Sequence, residues 1–84
     1  MKSEETNKFW DTEISLATVT TDNGEITIKE VTRNGNMFVD IRKWYVDRKS
    51  DELKPGKGIA IPVEQIEDVY EALTKYMEER LNEA

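Results

Sequence analysis

Apolar and polar residues alternate with a period of two through the first half of the chain. In "TEISLATVTT", Ile14, Leu16 and, after Ala17, Val19 alternate with polar neighbours, as in a half-buried strand. Asn23-Gly24 follows, a pair that tolerates the positive backbone dihedrals of a two-residue hairpin. The next strand, "EITIKEV", sends Ile26 and Ile28 to one face and Thr27, Lys29 and Val31 to the other. A second Asn-Gly, Asn34-Gly35, leads into "MFVDIRKWY". There Met37, Val39 and Ile41 share a face, and Phe38, Asp40, Arg42 and Trp44 take the opposite one unless a bulge shifts the register.

The alternation stops after Tyr45. "VDRKSDELKPGKG" mixes acids, bases, one Pro and two Gly and reads as a loop, and "GIAI" reads as a short fourth strand. Pro62 suits the first turn of a helix, and Glu64, Glu67 and Asp68 supply the charge that a helix N-terminus favours. Ile66, Val69, Tyr70, Leu73, Tyr76, Met77 and Leu81 recur at the spacing of one helical face. The expected fold is α+β: a four-stranded curved antiparallel meander followed by one C-terminal helix laid on one sheet face. One helix is too little to cover that face and also hide its own stripe. The stripe is therefore expected to meet a second copy in a homodimer. Residues 1–8 are expected to be a mobile polar start, with a single domain over 9–84.

Composition narrows the function. The 84 residues contain no cysteine and no histidine, which removes thiolate chemistry, the commonest metal ligand and the usual neutral-pH proton shuttle. No metal or cofactor is expected. The paired acids Glu67-Asp68 and Glu78-Glu79 point to different azimuths of a helix and read as solvated surface, so no catalytic role is expected either. No apolar run approaches the ~20 residues of a membrane-spanning helix, and the start lacks a secretory h-region, so the chain is expected to be intracellular.

The net charge of −6 hides a division. Residues 1–28 carry two cations and six acids, residues 29–57 eight cations and five acids, and residues 58–84 two cations and seven acids. The middle third is thus basic between acidic flanks. Screening leaves local potential in charge of binding near contact. Lys29 and Arg42 lie on one open sheet face, Lys54 and Lys57 lie at its edge, and Trp44, Tyr45 and the Arg33 guanidinium offer planar surfaces. Cations that track phosphates, interleaved with planes on which unpaired bases stack, suit single strands better than duplexes. The loop "KPGKG" lacks the spacing of a nucleotide-binding phosphate loop. Phe9 and Trp10 are expected in the core or at a dimer contact.

At "DIRKWY…KPGKGIAIP" the sequence resembles the single-stranded-DNA-binding core of the coactivator family known as positive cofactor four. The resemblance runs from about Glu25 to Leu81. It rests on the order of the strands, Asp40-Ile41-Arg42 before an aromatic pair, an acidic loop, Lys54-Pro55-Gly56-Lys57-Gly58-Ile59, and a proline-started helix. It implies a homodimer whose sheets form channels for single-stranded DNA. It also implies that Arg42, Lys54, Lys57 and Lys29 contact DNA and that Tyr45 stacks on bases. Arg33 falls where relatives often carry an aromatic, and Asn34 and Asn36 where they can carry lysines, so weaker and less salt-dependent binding is expected. The expected partners are single-stranded DNA, a second copy, and transcription or replication proteins met through the acidic helix, with duties in transcription, replication or recombination. The absence of a serine- and lysine-rich extension favours a bacterial or phage setting over a nuclear one. The alternative is a protein-interaction module on the same fold with no nucleic-acid role.

Overall fold

The computed structural model describes residues 9–83. The expected mobile start, residues 1–8, lies outside the described residues. Four antiparallel strands follow one another as neighbours in a single open sheet: β1 (Thr12–Thr21), β2 (Gly24–Arg33), β3 (Asn36–Asp47) and β4 (Glu52–Pro62). A 3-10 turn (Val63–Gln65) then leads into one C-terminal helix, α1 (Ile66–Glu83). The meander and helix expected from the alternation are therefore the fold.

Two turns differ in their chemistry. Asn34 and Gly35 both have positive φ, 54° and 83°, the signature of the primed two-residue hairpin that Asn-Gly favours. The first hairpin instead turns on Asp22 and Asn23, with Thr21 facing Gly24 across it, and neither loop residue nor Gly24 has positive φ. Gly24 serves packing rather than turning: a Cβ there would land on the carbonyl oxygen of Trp44 in the neighbouring strand. The expectation that Asn23-Gly24 forms the positive-φ turn is corrected accordingly.

The segment read as a loop after Tyr45 is mostly strand. β3 runs on to Asp47, only Arg48–Asp51 turn, and β4 begins at Glu52. Asp51, at φ 64°, closes the turn by donating its N–H to the Asp47 carbonyl at 2.6 Å. Pro55 is tolerated because β4 is an edge strand, whose outer backbone groups need no ladder partner. Arg42 pairs with Gly58 but Trp44 with Pro55, so β4 spends one extra residue in a bulge at Gly56-Lys57. A second irregularity lies in β1 between Ser15 and Ala17. Ile14 and Val19 are five positions apart and would face opposite ways in a regular strand; this bulge returns both to one face.

Cross-strand register sorts the side chains into two faces. One carries Glu13 and Ser15, then Thr27, Lys29 and Val31, then Phe38, Asp40, Arg42 and Trp44. The other carries Ile14 and Val19, Ile26 and Ile28, Val39 and Ile41, Ile59 and Ile61. The helix does not cover the apolar face as expected. It continues directly from the 3-10 turn and makes no more than slight contact with any strand, and it is that turn which reaches back to β3. The radius of gyration, 15.4 Å, exceeds the ~12 Å of a compact chain of this length. On α1, Ile66 and Val69 are half-buried, while Tyr70, Leu73, Tyr76, Met77 and Leu81 are exposed. The physical reason is the one that thins any small core: one chain lacks the apolar area to close both surfaces.

Candidate nucleic-acid interface

The charged face holds an open groove of about 420 Å³, lined by Phe9, Trp10, Glu13, Thr27, Lys29, Asp40, Arg42, Trp44 and Pro55. Its floor is built by β2 and β3, whose pairing sets Lys29 opposite Asp40 and Thr27 opposite Arg42. Arg42 is the best-anchored cation. Its Nη2 donates to Asp40 Oδ1 at 3.2 Å, and its Nη1 reaches across to the Gly56 carbonyl at 3.1 Å. Gly58 makes room for that reach, since a Cβ there would stand 2.8 Å from the Arg42 Cζ. Asp40 is 4% exposed, so the guanidinium is what compensates a buried carboxylate, while one side of Arg42 stays open to the groove. Lys29 Nζ donates to Glu13 Oε1 at 3.0 Å, both side chains remaining partly exposed. Two cations are thus matched by two acids on the groove floor.

Trp44 forms one end. Its indole Nε1 donates to Thr27 Oγ1 at 2.9 Å, which fixes the ring over β2 and leaves it half-buried. At the other end Trp10 leans on Phe38, with centroids 5.7 Å apart at 45°, and meets Phe9 edge-on at 4.8 Å and 87°. No buried side-chain nitrogen or oxygen lacks a hydrogen-bond partner among the described residues.

Of the residues singled out in the sequence, Lys29, Arg42 and Trp44 meet in this groove. Arg33 and Asn36 pair at the far end of the same face. The Arg33 guanidinium lies 3.8 Å over the Phe9 ring and donates to the Phe9 carbonyl at 2.6 Å, so this plane is occupied within the chain. Asn34 sits in the turn, where its N–H donates to Asp11 Oδ2 at 2.9 Å. Tyr45 pairs with Lys54, and both fall on the apolar face rather than beside Arg42. The β4 bulge is responsible, because without its extra residue Lys54 would share the side of Gly58. Lys54 Nζ lies 3.7 Å from Asp47 Oδ2. Lys57 is exposed at the bulge itself. Glu13, Thr27, Asp40 and Pro55 were not among the expected contact residues, and Phe9 and Trp10 line the groove rather than filling a core.

Among the described residues, the Asp47 carboxyl is the group whose titration is displaced. The Ser50 hydroxyl donates to it at 3.0 Å, and together with the Lys54 ammonium and the amides of Lys49 and Ser50 it holds the carboxyl below its ordinary value, against the opposing effect of desolvation. No cluster of three or more acidic side chains suited to a metal ion occurs among the described residues. No helix among them is long and apolar enough to cross a membrane.

An antiparallel meander with an aromatic-ended, cation-bearing groove on one face and a trailing amphipathic helix defines a sheet-based binding module. The profile of the family described as Transcriptional Coactivator p15 (PC4) matches residues 20–72, and the chain belongs to that family. No curated protein and no solved structure matches significantly. The family is one of DNA-binding transcriptional coactivators, and in general terms it binds single-stranded DNA. The match takes in Lys29, Arg42 and Trp44 and begins beyond Phe9, Trp10 and Glu13.

Proposed function

We propose that the protein is a non-catalytic, sequence-tolerant single-stranded-DNA-binding protein that works as a homodimer inside the cell, in transcription and in replication or recombination. The observation that carries the reading is the groove, where Lys29 and Arg42 lie between aromatic ends within a coactivator-family sheet. Exposed edges of the two cations attract backbone phosphates, and Trp44 gives an unpaired base a plane to stack on, worth ~1–3 kcal/mol per base. A duplex hides its base planes and gains little from such a groove. Because Glu13 and Asp40 offset Lys29 and Arg42, phosphate neutralisation contributes a small share, and salt weakens binding only shallowly.

Self-association is supported by what a single chain leaves open. Tyr70, Leu73, Tyr76, Met77 and Leu81 form an exposed apolar stripe on α1, and Ile14, Val19 and Ile59 are exposed on the apolar sheet face. A two-fold pair buries each patch twice, with α1 of one protomer meeting its partner. The acidic side of α1, including Glu67, Glu71 and Glu78, remains for a transcription or replication protein.

The test is fluorescence anisotropy of a labelled single-stranded oligonucleotide with wild type and with the double variant Lys29→Ala, Trp44→Leu. Wild type should bind, and the variant should lose about tenfold or more in affinity while keeping its melting temperature within a few degrees. Equal affinity in a folded double variant would remove the groove from the binding surface and favour the protein-interaction alternative.

A further inference from the structure

The segment ahead of β1 precedes the stretch that the family match covers, residues 20–72, yet it is fastened to the sheet. Asp11 donates its N–H to the Thr32 carbonyl at 2.8 Å and accepts the Asn34 N–H on its carboxylate at 2.9 Å. Arg33 grips the Phe9 carbonyl at 2.6 Å and stacks on the Phe9 ring at 3.8 Å. These ties hold Trp10 against Phe38, the cross-strand partner of the fully buried Val31. An indole that stays half-buried and lines the groove leaves part of an aromatic surface facing the space beside Lys29 and Arg42.

We infer that Trp10 is a second base-stacking platform, contributed by this chain's own N-terminal segment, which binds a further unpaired base of the strand at the end of the groove opposite Trp44. This rests on the reading of the groove as a single-strand site and deepens it. Between the two indoles the floor carries two ion pairs that balance in charge, so stacking on Trp10 adds an attraction that the floor does not supply. Stacking is tolerant of base identity and releases no counterions, so its share of affinity does not change with salt. Arg33, whose plane is occupied by Phe9, acts here as a positioning residue that fastens the segment.

The test uses the full chain and a fluorescein-labelled oligothymidylate. The chain has two tryptophans, so Trp44→Phe leaves Trp10 as the only indole while keeping an aromatic ring at the other end. Strand addition should quench Trp10 emission with the midpoint seen by anisotropy. Trp10→Leu, which keeps an apolar side chain beside Phe38, should weaken binding about tenfold, by the same factor at low and high salt. Two results would overturn the inference while leaving the groove standing: strand binding to Trp44→Phe with unchanged Trp10 emission, or wild-type affinity in Trp10→Leu. Failure of wild type to bind the oligothymidylate at all would overturn both readings. The emission measurement does not depend on Trp10→Leu folding.

Discussion

On one face of the sheet Lys29 holds Glu13, Arg42 holds Asp40 and the Trp44 indole holds Thr27, whereas on the other Ile14, Val19 and Ile59 stand open to solvent. The charged face completes its polar contacts within the chain. The apolar face and the stripe on α1 have no such internal solution. The difference teaches which surface asks for which partner. A satisfied polar groove with aromatic ends suits a ligand that is exchanged, and large unpaired apolar surfaces suit a permanent one.

The sharpest way to break the comparison is to charge the apolar side. Leu73→Asp should convert the proposed homodimer to monomers. Burying a leucine is worth ~1.5–3 kcal/mol and a two-fold interface buries it twice, so association should weaken about 100-fold or more. Sedimentation velocity across a concentration series reads this directly. An unchanged dimer would move the interface off α1.

A smaller effect is expected on the charged side. Gly58→Ala sets a methyl 2.8 Å from the Arg42 Cζ and 2.9 Å from the Ile41 carbonyl, so the guanidinium must leave Gly56, Asp40 or both. With Asp40 buried, the loss should be about 1–3 kcal/mol of stability, measured by urea unfolding, together with weaker strand binding. Full stability would mean that Arg42 is not what compensates Asp40.

The smallest effect is at the β3–β4 turn. The pKa of Asp47 is lowered in the folded state, so its contribution to stability is fully present above the ordinary carboxylate range and is lost as pH falls through the lowered value. Removing the hydroxyl in Ser50→Ala should raise the Asp47 pKa towards its ordinary value, which carboxyl-detected NMR titration would follow. No upward movement would assign the shift to Lys54 and the backbone amides instead.

Period-two alternation made β1, β2 and most of β3 legible in the sequence, and the helical stripe did the same for α1. β4 was masked because Lys-Pro-Gly-Lys-Gly carries the composition of a loop, although an edge position accommodates the proline and a bulge accommodates the glycines. The groove was half legible. Lys29, Arg42 and Trp44 follow from parity alone. Glu13 depends on the β1–β2 register, and placing the turn at Asn23-Gly24 rather than Asp22-Asn23 slides that register by two residues before the β1 bulge adds its own shift. Lys54 was misplaced by the same kind of event, since one extra residue in β4 moves it to the Tyr45 side. Long-range register, which composition does not encode, decided what the local pattern left open.

The most direct measurement of the central claim is an anisotropy titration of single- and double-stranded oligonucleotides of equal length at two salt concentrations. A clear preference for the single strand, weakened only modestly by salt, is the expected result. Equal or negligible binding to both at low salt, or a preference for the duplex, would contradict it.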